Sequence, residues 1–279
     1  MTTEIKKNVY YKITNPDGTS FYDRKTKYVA GKTVRKEQVA YPVLCSSSVI
    51  HASPTIKDAL RYARNPLAIH RVEGDPVVSD DTKSGFFSLK VIDTLPESQY
   101  DDLLGFRYHE ACNPINPMLI TNDVSGEDIA SLRKWASVRD SVWDSVWASV
   151  RDSVWDSVWA SVRASVWASV RDSVRASVWD SVWASVRASV RASVRASVRD
   201  SVWDSVWASV WDTVWAYIGS LFPGVDTWKY VDQDPGTYPF QPAVDLWKRG
   251  FVPVRIGRKW HLYGWRNGKA VSLYAEAGF

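Results

Sequence analysis

The sequence has few cysteines, no long apolar run and no glycine-rich phosphate loop. Each of these features argues against a class of protein or of binding site. Cys45 and Cys112 are the only cysteines in 279 residues, and they match neither a metal-binding nor a redox spacing, so we expect reduced thiols. No stretch approaches the roughly 18 apolar residues of a transmembrane helix, so no membrane partner is expected. The residues after Met1 lack the apolar core of a secretory signal, which predicts a cytoplasmic protein.

The charge of the chain is nearly balanced. It has 35 Lys and Arg residues against 31 Asp and Glu residues, a net charge of +4. This surplus is too small to indicate the basic surface of a nucleic-acid-binding protein, so no nucleic-acid partner is expected. The four histidines show no metal-ligand spacing, and no dinucleotide-binding or Walker glycine motif is present. The sequence therefore predicts no metal and no cofactor.

A tandem repeat of four residues occupies the middle of the chain. Residues 137–216 divide into 20 units of the form Ser-Val-(Trp/Arg)-(Asp/Ala), which we call the array. Valine holds the second position in all 20 units, and serine holds the first position in 19. Eleven of the 16 tryptophans lie in the third position, so the tryptophan excess is a property of the array. The array is electrically neutral, with nine Arg and nine Asp.

The four-residue period is compatible with more than one fold. Along an α-helix, every fourth residue advances by about 400°, a drift of about 40° per unit. A continuous helix would then have no fixed polar face and would have to bury several sides or bind partners along its length. A β-solenoid with inward valines and about 12 or 16 residues per coil is the alternative. A disordered or aggregated tract is the third possibility.

The residues that flank the array favour the helix. Ser125 is a helix N-cap with Glu127 and Asp128 in the first turn that follows it. After the array, Gly219 and Pro223 are suitable residues to end a helix. No glycine or proline interrupts the 80 array residues. The sequence therefore predicts a helical repeat segment over residues 125–222.

The residues before the array predict a small α+β domain and a connector. Alternating apolar residues indicate strands at 9–14, 20–22, 27–34, 49–54, 68–74 and 86–92, with a short helix at 55–64. We place the domain at residues 1–95. Its prolines make residues 96–124 a connector or a partly ordered extension.

Several segments of this domain resemble an uncharacterised family of phage and bacterial proteins. They are Tyr28 to Lys32, Cys45 to Ser53, Asp58 to Ala63 and His70 to Glu73. Members of that family resemble this chain in carrying an N-terminal domain of unknown function, Ser-Val-Trp/Arg arrays and a Trp-rich tail. The resemblance implies a modular protein of phage type and implies no particular chemistry.

A second resemblance concerns His51-Ala52-Ser53 and the helix that follows it. This arrangement is similar to ADP-ribosyltransferase-like folds, in which a serine-containing strand precedes a helix near the NAD pocket. The resemblance implies that His51 and Ser53 contact the nicotinamide side of NAD, with Glu73 as the candidate catalytic glutamate. The early Arg or His of that family's pattern has no counterpart here.

The last part of the chain, residues 223–279, is a Trp-rich cap. Pro242 to Arg249 predicts a short helix, since proline lies near its start and Gly250 follows its end. Asn267-Gly268 between two β-prone runs predicts a β-hairpin. The cluster of aromatic residues is expected to form the core of this small domain.

These segments together predict an α+β protein with a non-enzymatic role. The array would act as a spacer, whose length sets separation, or as a protein-binding scaffold, whose length sets valency. The expected partner is another protein or a second copy of the chain. An NAD-binding enzyme of the ADP-ribosyltransferase type is the alternative function.

Overall fold

The computed structural model describes residues 9–64, 66–153, 162–164, 166–167, 174, 195–234 and 236–277. These residues form helices and antiparallel sheets, which confirms the predicted α+β class. They divide into two compact units, of which the first ends at Gly105 and the second begins at Phe106. Within the part of the chain so described, no helix is both long enough and apolar enough to cross a bilayer.

The first unit contains two antiparallel sheets with strand orders β1-β4-β7-β2 and β3-β6-β5. The strands are β1 (Val9–Thr14), β2 (Thr33–Arg35), β3 (Ile50–Ala52), β4 (Ala68–Glu73), β5 (Val78–Ser79), β6 (Ser84–Phe86) and β7 (Ser88–Thr94). Helix α1 (Ile56–Leu60) follows β3, and helix α2 (Tyr100–Leu104) follows β7.

Alternating apolar side chains build a core that both sheets share. In β7, Leu89 and Val91 are fully buried while the residues between and beside them are exposed, as expected for a strand with one face on a core. Tyr10 of β1 contacts Phe86 of β6 edge to face, with ring centroids 4.9 Å apart. Because β1 and β6 belong to different sheets, this contact joins the two.

The predicted strand at residues 20–22 is wrong, because this segment forms a turn. The carboxylate of Asp23 accepts hydrogen bonds from the backbone N–H groups of Lys25 and Thr26, each at 3.0 Å. Hydrogen bonds between a side chain and its neighbouring backbone N–H groups compete with the hydrogen bonds that would pair this segment as a strand. The predicted strand at residues 27–34 is likewise reduced to the short β2 at its end.

The second unit combines helices with an antiparallel sheet of order β10-β9-β8. Its helices are α3 (Tyr108–Cys112), α4 (Gly126–Val138), α5 (Val142–Ser153), α6 (Arg195–Ser220) and α7 (Gln241–Lys248). Its strands are β8 (Val252–Ile256), β9 (Lys259–Arg266) and β10 (Lys269–Ala277). The predicted connector, residues 96–124, contains α2 and α3, and it buries Tyr100 in the first unit and Tyr108 in the second.

The described residues of the array are helical and include no strand. Each of these helices buries three successive array valines, all at most 1% exposed: Val142, Val146 and Val150 in α5, and Val206, Val210 and Val214 in α6. Across three units the valine row drifts by about 80°, which is less than the width of a typical buried helix face. The predicted helix also covers residues 154–161, 165, 168–173 and 175–194, which lie outside the described residues.

The structure confirms three local predictions: a helix N-cap, a hairpin turn and a short helix. Ser125 and Asp128 form a reciprocal capping box at the start of α4, with the Ser125 N–H donating to the Asp128 carboxylate at 2.8 Å. Asn267 and Gly268 join β9 to β10 with φ angles of 50° and 77°, which identifies a type I′ hairpin turn. The helix α7 is present at its predicted place.

A substitution within α5 tests the buried valine face. Val146→Ala removes two methyl groups from a fully buried position and should lower the free energy of unfolding by about 2 kcal/mol. Asp144→Ala in the same helix is the matched control. Since Asp144 is exposed, its replacement should change the stability by less than about 0.5 kcal/mol. Urea denaturation followed by far-ultraviolet circular dichroism measures both. Equal effects of the two substitutions would contradict the burial of this face.

Candidate functional site

A cavity of about 420 Å³ lies in the first unit. Its wall is formed by β1, the turn at residues 20–28, and the segment that runs from Cys45 into β3. This volume is within the range of small-molecule binding sites. We call it the N-terminal cavity.

Two of the three residues suggested by the ADP-ribosyltransferase resemblance lie in the wall of this cavity. His51 and Ser53 both line it, and Ser53 is held there by two backbone hydrogen bonds with Tyr11 of β1, at 2.8 and 2.9 Å. Glu73 is not part of the wall. It lies at the end of β4, where its carboxylate pairs with the ammonium of Lys90 at 3.0 Å. The structure therefore does not bring the candidate glutamate to the other two residues.

His51 is a neutral hydrogen-bond acceptor. Its Nε2 accepts the backbone N–H of Cys45 at 2.9 Å, which leaves the ring proton on Nδ1. Burial, followed by the positive charges of Lys12 and Lys83, lowers the pKa of His51 from 6.5 to about 4. At pH 7 the imidazole is therefore uncharged and holds the Cys45 loop in place.

Lys12 is the functional candidate that the sequence analysis missed. It lies on β1 between Tyr10 and Thr14, which are both buried and share its face of the strand. Burial lowers the pKa of Lys12 from 10.5 to about 8, and the charge of Asp23 opposes this effect only in part. Its ammonium lies 5.1 Å from the centroid of the Tyr28 ring. The two-residue alternation of β1 was the available signal, since it placed a lysine on the inward face.

A lysine and a cysteine meet at another part of the wall. The ammonium of Lys83 lies 2.8 Å from the sulfur of Cys45 and 3.2 Å from the hydroxyl of Tyr62. The hydrogen bond to Cys45 is the main reason that the pKa of Lys83 is raised, against the opposing effect of burial. Cys45 itself has a φ of 60°, a backbone conformation that non-glycine residues seldom adopt.

The wall carries an excess of positive charge. Its basic side chains are Lys12, Lys36, Arg64 and Lys83, and its carboxylate is that of Asp23. Asp23 is already engaged, because it accepts hydrogen bonds from the Thr26 hydroxyl at 2.5 Å and from two backbone N–H groups. Burial alone would raise the pKa of Asp23, but these hydrogen bonds lower it to about 2. Among the described residues, no three acidic, histidine or cysteine side chains are placed to hold a metal ion.

The surface of the array is a second candidate region. On α5, the valines face the core while Trp143 and Trp147 are 44% and 38% exposed. The two indoles stack on one another, with centroids 6.1 Å apart and planes 13° from parallel. On α6, Trp207 and Trp211 stack at 4.5 Å. The four-residue period therefore places successive tryptophans in rows along each helix.

Comparison of the chain with protein-family models, with curated proteins and with solved structures finds no match. The two family resemblances stated above therefore stay predictions.

The burial of Lys12 leads to a prediction about stability and its pH dependence. Lys12→Met should raise the free energy of unfolding at pH 7 by about 1 to 2 kcal/mol, because a half-buried charge with a lowered pKa is removed. Below pH 8 the folded protein bears the full cost of the charge. The cost declines as the pH rises from about 8, the folded pKa, to 10.5, the unfolded pKa. The increase in the free energy of unfolding caused by Lys12→Met should therefore become smaller as the pH rises from about 8 to 10.5.

Urea denaturation at pH 7 and pH 10 measures this difference. Lys32→Met is the matched control, because Lys32 is exposed in the same unit and is not part of the cavity wall. It should change the stability by less than about 0.5 kcal/mol at either pH. Destabilisation by Lys12→Met at pH 7 would show that the charge is compensated in the folded state.

Proposed function

We propose that this chain is a non-enzymatic structural protein whose array is an interaction scaffold. The observation that carries the proposal is the division of faces on α5. Valines lie in the core, while the stacked Trp143 and Trp147 remain at the surface. A large exposed apolar pair of this kind is typical of a protein–protein contact. The array thus uses one face to fold and leaves another for a partner.

The packing of the array favours a scaffold over a spacer. The first four-residue repeat of the array contacts its last repeats, since Arg139 pairs with Asp212 at 2.5 Å. Trp143 likewise meets Trp215 edge to face at 6.4 Å. Because the two ends of the array are in contact, units added between them leave the distance between the ends unchanged. Additional units would add binding surface, so copy number sets valency in this proposal.

A second copy of the chain is the partner whose chemistry fits best. The array has nine Arg and nine Asp, so its charges can pair with those of an identical array. Its tryptophans stack on tryptophans within the chain, and we expect the partly exposed rings of two copies to make contacts of the same kind. Self-complementary surfaces of this kind form closed symmetric dimers.

The oligomeric state tests this proposal. The intact chain should dimerise at micromolar concentration, and Trp143→Gln with Trp147→Gln should raise the dimer dissociation constant at least about tenfold, since buried tryptophans dominate such interfaces. Sedimentation equilibrium measures the constant. Tyr41→Gln with Leu119→Gln is the matched control, because these side chains are 87% and 80% exposed outside the array. A chain that stays monomeric to about 100 μM would refute self-association.

A further inference from the structure

Within the described part of the chain, the ammonium of Lys12 has no acceptor of its own. Among the described residues it makes no hydrogen bond and no ion pair, and its contact is with the face of the Tyr28 ring. The negative charge of Asp23 raises the pKa of Lys12. The carboxylate of Asp23, however, accepts its hydrogen bonds from Thr26 and from the backbone of its own loop. A half-buried cation without an acceptor is costly, and an anion in the cavity would remove the cost.

The pKa shifts of His51 and His70 indicate the sign of the electrostatic potential near Lys12. Besides burial, the charge of Lys12 lowers the pKa of His51 and also that of His70, a residue of β4. Lys83 acts on His51 in the same direction. Asp80 acts on His51 and Asp93 on His70 in the opposite direction, without reversing either shift. The inner wall therefore presents a positive potential, which attracts anions.

The remaining wall is suited to the organic part of a ligand. The rings of Phe21 and Tyr62 supply flat apolar surface. The hydroxyls of Ser46 and Ser47 supply hydrogen-bonding groups beside them. Aromatic rings stack on planar groups such as nucleobases.

We propose that the N-terminal cavity binds a phosphate monoester of about the size of a mononucleotide, with its phosphoryl oxygens on Lys12. The described residues of the wall include four basic side chains and one engaged carboxylate. A dianionic phosphoryl group matches this charge better than a ligand with one carboxylate would. The planar group of the ligand lies against the rings of Phe21 and Tyr62. This proposal is argued without any array residue, and its failure would leave the scaffold proposal intact.

Calorimetric titration of the full chain with adenosine monophosphate tests the proposal. We expect saturable binding at one site in the N-terminal unit. Adenosine and inorganic phosphate should each bind at least about tenfold more weakly, because each lacks one half of the ligand. Lys12→Met should weaken adenosine monophosphate binding at least about tenfold, Lys12→Arg should retain most of it, and Lys32→Met should leave it within about twofold.

A second measurement does not depend on the folding of any variant. Acetylation of lysines in the unmodified chain is followed by mass spectrometry with and without adenosine monophosphate. The ligand should slow the acetylation of Lys12 at least about fivefold and leave that of Lys32 unchanged, since a bound phosphoryl group shields only the former. The proposal is overturned if the nucleotide fails to bind at about 1 mM, if inorganic phosphate binds as tightly, or if Lys12 is not protected.

Discussion

The burial of one valine in every four residues is the constraint on which the second unit depends. A strict four-residue row rotates by about 40° per unit around a helix, so it can stay on one buried face only over a few units. Helix α5 spans three such units, and a 3₁₀ turn at Arg139–Ser141 separates it from α4. This turn changes the helical phase before α5 begins. At the end of α6 the drift is accommodated differently, because Val214, Trp215, Ala216, Tyr217 and Ile218 are all buried and the helix is enclosed on every side.

The serine row provides polar contacts for the same face. The hydroxyl of Ser149 accepts the backbone N–H of Lys229 at 2.8 Å, and that of Ser209 accepts the backbone N–H of Arg255 at 3.1 Å. Arg255 belongs to β8, one of the two edge strands of the C-terminal sheet. A hydroxyl on a covering helix thus satisfies a donor that an open sheet edge would leave exposed. The described repeats of the array are therefore part of the folding core of the second unit, and those in α5 also carry the exposed Trp143 and Trp147.

Local chemistry decided which features could be predicted from the sequence. The N-cap at Ser125 and the turn at Asn267-Gly268 depend on residues within a few positions of one another, and both were predicted. The reciprocal bond from Asp128 that completes a capping box was not predicted. The hairpin between β8 and β9 was missed, although Gly257, with φ of 59°, opens its two-residue turn. Contacts between distant residues were not predictable in this way. The pairing of Glu73 with Lys90, which separates this glutamate from His51, follows from the register of β4 against β7.

Hydrogen exchange tests most directly whether the array is the core of the second unit. Amides of α5, of residues 206–220 in α6 and of the sheet β8–β10 should exchange with one common free energy of opening, because they share buried valines and serine hydrogen bonds. Destabilising the array by mutation should lower the protection of the sheet by the same amount. Full protection of the sheet alongside rapid exchange of α5 and α6 would contradict the account, because the array would then be an appendage to a core that folds without it.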